Sequence, residues 1–134
     1  MEYVTGIYAL NMPCSLGTPG DWHGACCAWD NVPLRDTADS VFGDWGIESA
    51  VTPIGECVNA ANHMRACLDL MEEGFSPMCQ GMKNDYFDAL VDDEAVFEKV
   101  VLLESSPYWE QIDSFMCKEY MLSWIDFKER RHDR

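Results

Sequence analysis

The most regular alternation of apolar and polar positions in the chain lies between Cys57 and Gly74. Arg65 and Asp69 fall on the polar side of this stretch, at a spacing of four residues that predicts a weak ion pair on the surface. Gly74 stands where a left-handed C-terminal cap is favoured. The pattern predicts an amphipathic helix around 57–73 at the centre of the fold. Positions that recur at 100° per residue share its apolar face, and they are Cys57, Ala60, Ala61, Met64, Cys67, Leu68 and Met71.

Further helices are predicted in the second half of the chain. A short one is expected at 76–82, and Asp92 or Asp93 caps another that runs to about Glu104 with Val96, Phe97, Val100 and Leu103 on its buried face. A long helix is expected from about 108 to 128. Its apolar stripe consists of Trp109, Ile112, Met116, Tyr120, Trp124 and Phe127. Met121 and Ile125 fall away from that stripe, which predicts either a second buried face or a contact between two copies of the chain.

The first 55 residues read as a β region that is interrupted by glycine and proline. Strands are predicted at 3–12, at 22–29 and at 40–48, with a loop over 30–40 between the last two. Strands that precede helices in this way indicate an α+β fold. We expect a single domain over 1–134, in which two or three N-terminal strands pack on three or four helices.

Charge changes the picture more than any other property of the composition. The chain carries 24 acidic and nine basic residues, a net charge of −15, and four of the nine basic residues lie in the last seven positions. An acidic body repels nucleic acid and anionic membranes. It attracts a basic protein surface and speeds the encounter with it. We therefore expect a basic protein partner, and neither direct nucleic-acid binding nor membrane binding.

The compartment is predicted from the absence of two signals. No apolar run approaches the roughly 18 residues that span a bilayer, and no basic segment followed by an apolar one marks export. We expect a cytoplasmic protein. Its seven cysteines are expected to be reduced, because their number is odd and the predicted core needs no covalent staples.

The densest group of polar and aromatic residues is Asp21-Trp22-His23, which Cys26 and Cys27 follow. A nucleophilic cysteine needs a base, usually histidine, and an acid that orients the base. An enzyme or a zinc site centred on His23 and Cys26 or Cys27 therefore stays open as an alternative. Zinc sites use paired C-x₂₋₄-C knuckles, which this spacing lacks, so we expect no catalytic residue, no metal and no cofactor. The side chains with suitable ligand atoms are Cys14, His23, Cys26, Cys27, Cys57 and His63.

Three of the tryptophans lie in the irregular N-terminal third, at Trp22, Trp29 and Trp45. Tryptophans in loop-rich regions often build protein interfaces, although they also fill the cores of small sheets. His63 lies at the seam between the two faces of the predicted central helix. The candidate binding residues are Asp21, Trp22, His23, Trp29, Asp44, Trp45 and His63.

Four stretches of the chain carry a resemblance to a known family: MEYVTGIYALNMPCSLGTPGDWH, VFGDWGIE, VNAANHMRACLDLMEEG with CQGMKNDY, and FMCKEYMLSWI. They resemble a family of small acidic bacterial proteins whose genes lie on mobile elements or near defence and toxin–antitoxin genes. The resemblance carries over no activity and no site residue. It implies a regulatory or inhibitory role toward a partner protein rather than metabolic catalysis.

Charge, motifs and resemblance together favour a non-enzymatic acidic binding protein. Such a protein inhibits or neutralises a partner by protein–protein contact, as an antitoxin, an immunity protein or an anti-defence inhibitor does, and here the contact would occlude a nucleic-acid-binding surface of the partner. The alternatives are the cysteine–histidine enzyme or zinc protein described above, and a homo-oligomeric structural protein joined through Met121 and Ile125 of the last helix.

Overall fold

Short strands and helices alternate along the first half of the chain, and helices alone fill the second half, in the computed structural model, which describes residues 1–16, 27–87 and 91–132. The strands are β1 (Glu2–Tyr3), β2 (Arg35–Asp36), β3 (Ile47–Val51) and β4 (Cys57–Ala61). The helices are α1 (Gly6–Leu10), α2 (His63–Glu72), α3 (Met82–Asp85), α4 (Asp93–Val100), α5 (Trp109–Tyr120) and α6 (Leu122–His132). Single 3₁₀ turns occupy Thr37–Asp39, Ser76–Cys79 and Val101–Leu103. The predicted α+β fold class is confirmed.

Two antiparallel strand pairs make up the β part of the described residues. β1 pairs with β2, where Tyr3 lies opposite Arg35, and β3 pairs with β4 along the whole length of both strands. Val4 bridges the two sheets, because its N–H donates to the carbonyl of Asn59 and its carbonyl accepts from the N–H of Ala61, both at 2.8 Å. The two sheets therefore meet beside the start of α2.

The central helix begins later than predicted. Residues Cys57–Ala61 form strand β4 instead of the first helical turns, because their backbone groups pair with β3. Ala60 and Ala61 face the core in the strand as they would in a helix, so the apolar pattern fits both structures. Asn62 then caps α2, since its side chain accepts a hydrogen bond from the N–H of Arg65 at 2.8 Å.

The end of the central helix agrees with the prediction. Gly74 has a φ of 90°, and its N–H donates to the carbonyl of Met71 at 3.1 Å, while the N–H of Phe75 donates to the carbonyl of Leu70 at 2.7 Å. These two bonds form a Schellman cap. A Cβ atom at position 74 would also lie 2.8 Å from the ring of Tyr108, so both conformation and space require glycine.

Helix α2 lies at the centre of the core and is covered on all sides. Every residue from His63 to Met71 is buried, and α1, α4 and β4 all contact the helix. The predicted division into an apolar face and a solvated polar face is therefore wrong. Arg65 and Asp69 have no exposed surface, so the pair they form is a buried one.

The N-terminal strand predicted at 3–12 ends almost at once. Tyr3 and Val4 reach partner strands, but the chain turns at Gly6 into helix α1. The side chain of Asn11 donates to the carbonyl of Ile7 at 2.8 Å and closes that helix. The apolar residues that suggested a strand instead pack on α2 from a single helical turn.

The third predicted strand is displaced toward the C-terminus. Residues 41–46 form turns, and β3 starts only at Ile47. Gly46 has a φ of 76°, and a Cβ atom there would lie 2.8 Å from Cβ of Arg65, so the chain passes directly over α2 before it enters β3. For the strand predicted at 22–29, residues 22–26 lie outside the described residues, and residues 27–29 form no strand.

The long C-terminal helix is divided into α5 and α6 by Met121, whose φ is 52° and ψ is −127°. The break folds α6 back on α4, where the ring of Phe97 lies 5.3 Å from the rings of Trp124 and Phe127. The predicted apolar stripe is otherwise confirmed. Its buried members are Ile112, Met116, Tyr120, Trp124 and Phe127, and Trp109 is partly buried.

The helix predicted after residue 92 is confirmed as α4 with its 3₁₀ extension. The side chain of Asp92 accepts a hydrogen bond from the N–H of Glu94 at 3.1 Å, which is the expected cap. The predicted face is buried in full: Val96, Phe97, Val100 and Leu103. The short helix predicted at 76–82 is a 3₁₀ turn that ends at Cys79, with α3 after it. No helix among the described residues is both long and apolar enough to cross a membrane.

Candidate functional site

Helix α2 carries polar side chains on two sides, and each side builds a separate group. Asp69 and Arg65 face β1 and β2, where they form what we call the buried charge cluster. His63, at the first position of the helix, faces residues 12–14 and Tyr86. We call this second group the Cys14–His63 pair.

The buried charge cluster is closed by its own hydrogen bonds. Asp69 accepts from Nε of Arg65 at 2.9 Å and from the hydroxyls of Tyr3 and Thr5 at 2.7 Å each. A guanidinium nitrogen of Arg35 lies 3.3 Å from the same carboxylate. Arg65 in turn donates to the hydroxyl oxygen of Tyr3 at 2.9 Å. A buried charge is tolerated when it is paired and hydrogen-bonded in this way.

The cluster also fixes the segments around α2. Arg35 of β2 forms ion pairs with Glu72 and Glu73, and Arg65 donates to the carbonyl of Trp45 in the turn before β3. Burial raises the pKa of the Tyr3 hydroxyl, and its hydrogen bond to Asp69 raises that pKa further, so Tyr3 stays a donor. One guanidinium nitrogen of Arg35 is buried without a hydrogen bond and is held by its ion pairs with Asp69 and Glu73. The other contacts satisfy one another, which indicates that the cluster holds the fold together.

The Cys14–His63 pair has the geometry of a stabilised thiolate. Sγ of Cys14 accepts hydrogen bonds from the backbone N–H groups of Leu16 and His63, both at 3.4 Å. The ring nitrogens of His63 meet two carbonyl oxygens. Nε2 lies 2.6 Å from the carbonyl of Met12, and Nδ1 lies 3.1 Å from that of Tyr86.

The pKa values of the two groups shift in opposite directions, as expected for an ion pair. Burial raises the pKa of the Cys14 thiol, but the hydrogen bonds from His63 and Leu16 outweigh burial, so the net pKa lies below its ordinary value. Burial lowers the pKa of His63, but Cys14 and the two carbonyls outweigh it, so the net pKa is raised. Both shifts favour the charged forms.

Cys14 is partly exposed and lines an open cleft of about 550 Å³ beside β3. Residues 13–15 form one wall of this cleft and residues 48–51 form the other. The wall that carries Cys14 is held in place because the N–H and hydroxyl of Ser15 donate to Glu48 at 2.9 and 2.6 Å. Cys67 provides a contrast, since it is fully buried and burial raises the pKa of its thiol, as is typical of an inert core cysteine.

No family model matches this chain, and no curated protein or solved structure matches it either. The resemblance to small acidic bacterial proteins of mobile elements and defence loci therefore stays a prediction.

The predicted binding residues lie in several places. Asp21, Trp22 and His23 are outside the described residues, as is Cys26. Trp29 is partly buried and packs its edge on Tyr8, with ring centroids 5.4 Å apart.

The remaining predicted residues are Asp44, Trp45 and His63. Asp44 is exposed in the turn before β3. Trp45 is partly buried, and Nζ of Lys99 lies 4.3 Å from its ring centroid. His63 is fully buried, so it contacts Cys14 and two carbonyls instead of forming a surface with the tryptophans.

The part of the chain that the structure describes contains no group of side chains arranged to bind zinc. There, no three or more His, Cys, Asp or Glu side chains lie close enough together to hold a metal ion. Cys27 accepts a hydrogen bond from the Asn11 amide at 3.4 Å, and Cys57 is exposed at the end of the hairpin. The cysteines that are described are all free thiols.

Sequence reasoning missed three of the residues that the structure makes prominent. Cys14 entered only as one of several zinc ligands, and its proximity to His63 depends on a chain separation that no local pattern shows. Arg65 and Asp69 were assigned to the surface. The composition around them held a signal, because α2 has apolar residues on both sides of each charge, which is typical of a helix buried all round.

Proposed function

We propose that this chain is a non-enzymatic acidic binding protein that inhibits or neutralises a partner by covering a basic surface of it. The contact would be of the antitoxin, immunity-protein or anti-defence type, made in the cytoplasm, and it would occlude a nucleic-acid-binding surface of the partner. The observation that supports this proposal best is the distribution of charge. Most basic side chains form ion pairs with carboxylates of the same chain, whereas many carboxylates are exposed and have no ion pair.

The basic side chains are occupied by contacts within the fold. Among the described residues, every arginine and lysine except Lys99 and Lys118 takes part in an ion pair. Lys99 lies over the ring of Trp45. Three of the pairs connect α6 to other elements, with Lys128 on Asp113, Arg130 on Glu94 and Arg131 on Glu104. These ion pairs thus neutralise part of the positive charge of the last seven positions.

The acidic side chains are left in excess. Exposed carboxylates that no described ion pair holds are Glu2, Asp30, Asp39, Asp44, Glu56, Asp92, Glu98, Glu110, Asp126 and Glu129. A surface of one sign steers an oppositely charged partner toward it and disfavours anionic partners such as nucleic acid. The excess therefore supports a basic protein as the partner.

Two sets of four exposed acids provide a matched test of where the partner docks. The N-terminal acid set consists of Asp30, Asp39, Asp44 and Glu56, and the helical acid set consists of Glu98, Glu110, Asp126 and Glu129. Neutralising either set to Asn and Gln changes the net charge by the same amount. Asp30 and Asp44 of the N-terminal set directly adjoin Trp29 and Trp45 in the chain, so it is the set that the proposed interface needs.

The experiment captures proteins from extract of the source cells on immobilised wild-type protein and on both variants at low salt. We expect a basic protein that wild type and the helical-set variant retain and the N-terminal-set variant loses. If both variants lose the captured protein equally, its binding depends on the net charge of the chain and not on the position of the N-terminal acid set. Capture of no basic protein at low salt would contradict the proposal.

We further propose that two copies associate through the junction of α5 and α6. Met121 and Leu122 are adjacent there and expose 69% and 71% of their surface, while Ile125 is partly buried. The mass in solution tests this contact directly. Replacing Met121 and Ile125 by polar residues should convert a dimer to a monomer, and an unchanged mass would contradict the interface.

A further inference from the structure

The loop that carries Cys14 crosses the N-terminal end of α2 and presents its sulfur to two N–H donors, the backbone groups of Leu16 and His63. The side chain of His63 is also close enough to this sulfur to favour its anion. A thiolate accepts such bonds more strongly than a neutral thiol does. Cys14 is partly exposed and lines the cleft between residues 13–15 and β3, so the favoured anion lies beside solvent.

The surroundings of His63 require a second proton on its ring. Both ring nitrogens face carbonyl oxygens, of Met12 and Tyr86, and a carbonyl oxygen only accepts. A neutral imidazole has only one N–H. Its other ring nitrogen would be an acceptor that faces a carbonyl oxygen, which is also an acceptor. The imidazolium ion donates to both. A buried cation needs an opposite charge beside it, and a thiolate at Cys14 supplies that charge.

This arrangement selects one type of sulfur chemistry over another. Acyl transfer needs a histidine that takes a proton from the nucleophile and returns it to the leaving group. The ring of His63 is fixed between two carbonyls and holds both of its protons there. Thiol–disulfide exchange needs no proton carrier, because the leaving group departs as a thiolate. The geometry therefore fits exchange with a disulfide.

We infer that Cys14, paired with His63, is a nucleophile that forms a mixed disulfide with low-molecular-weight disulfides in the cleft beside β3. Sγ attacks one sulfur of the disulfide, a new S–S bond forms and the original S–S bond breaks. The other half leaves as a thiolate and takes a proton from water. Cys14 is oxidised to the disulfide level, and the departing half is reduced to a thiol.

The charge around the cleft selects among such disulfides. Glu48 lines the cleft, and the chain as a whole carries −15. Cationic disulfides should therefore approach faster than anionic ones at low salt. Cystamine and glutathione disulfide are the two probes that separate these classes. Added salt should bring their rates closer together.

The test measures the rate of mixed-disulfide formation at each cysteine of the reduced wild-type protein by peptide mass spectrometry. For an ordinary thiol with a pKa of about 8.5 the thiolate fraction falls about 80-fold between pH 8 and pH 6. We expect the rate at Cys14 with cystamine to fall by less than about tenfold over the same range. Within the part of the chain that the structure describes, the other titratable groups around Cys14 are His63, Glu48 and Cys67.

Three variants assign the effect. Cys14→Ser should remove the reaction that persists at pH 6, and Cys57→Ser, which changes an exposed cysteine, should leave it unchanged. His63→Gln should restore the pH dependence of an ordinary thiol. If His63→Gln does not fold, the wild-type profile alone decides. A rate at Cys14 that falls about 80-fold, or faster reaction of Cys57 at pH 6, would overturn the inference, and a faster reaction with glutathione disulfide than with cystamine would overturn its charge preference.

Discussion

Asp69→Ala should be the most damaging single substitution in the polar part of the core. The variant removes the carboxylate that Arg65, Tyr3 and Thr5 all bond to, and leaves the guanidinium of Arg65 buried with no carboxylate partner. Removing one partner of a buried pair costs about 3–5 kcal/mol. That is a large part of the roughly 5–15 kcal/mol by which a domain of this kind is stable.

The loss converts to a readily measured change in melting temperature. The fall in Tm per kcal/mol of lost unfolding free energy depends on chain length. For a chain of 134 residues, each 1 kcal/mol lowers Tm by about 3–4 °C. Asp69→Ala is therefore expected to lower Tm by about 9–20 °C in differential scanning calorimetry or thermal circular dichroism.

Glu104→Ala is the matched control for this prediction. It also removes one carboxylate from an arginine ion pair, but Glu104 and Arg131 expose about two fifths of their side chains. Exposed pairs contribute about 0.2–1 kcal/mol, so Tm should fall by no more than about 4 °C.

The cause of the loss is tested by a second change. If the unpaired guanidinium destabilises Asp69→Ala, then adding Arg65→Met should recover part of the lost Tm, because the apolar side chain needs no partner. A loss in Asp69→Ala no larger than that in Glu104→Ala would refute the reasoning. The reasoning would also be refuted if adding Arg65→Met to Asp69→Ala lowered Tm by as much as Arg65→Met lowers it in the wild-type protein. The two residues would then contribute to stability independently.

Two further predictions concern backbone space and pH. Gly46→Ala should destabilise more than Gly55→Ala, because both glycines have a positive φ but only Gly46 lies against Arg65, with open space around Gly55; equal urea midpoints would contradict this. Burial raises the pKa of Asp113, but the hydrogen bonds that its carboxylate accepts from Lys128 and Trp124, together with the charge of Lys128, outweigh burial and lower that pKa below the ordinary value. The stabilisation is present above about pH 4, the unfolded value, and is lost as pH falls through the lower folded pKa. The difference in Tm between wild type and Asp113→Asn should therefore shrink from pH 6 to pH 2, and a constant difference would count against the assignment.

The helical half of the fold was accessible from the sequence because its signals are local. The cap at Asp92, the buried face of α4 and the Schellman glycine Gly74 all depend on residues within one or two turns. The break at Met121 had no such signal. It is favoured by the packing of α6 on α4, through contacts that are distant along the chain.

The N-terminal half was harder to predict because its structure depends on partners far along the chain. Small apolar residues such as Ala60 and Ala61 suit a strand and a helix equally, and only pairing with β3 decides between them. The charges of α2 were misplaced for a related reason. A polar side chain reads as exposed unless its buried partners are known, and the partners of Asp69 include Tyr3 and Arg35 from the start of the chain.

The proposed function is tested most directly by the salt dependence of binding to the captured basic partner. Its Kd should be measured for wild type and for both acid-set variants, from 50 to 500 mM salt. Since exposed charges are screened over a distance that shrinks from about 14 Å to about 4 Å in this range, we predict at least a roughly tenfold rise in Kd for wild type and a smaller rise for the N-terminal-set variant. A Kd that does not change with salt would contradict the acidic surface as the basis of recognition.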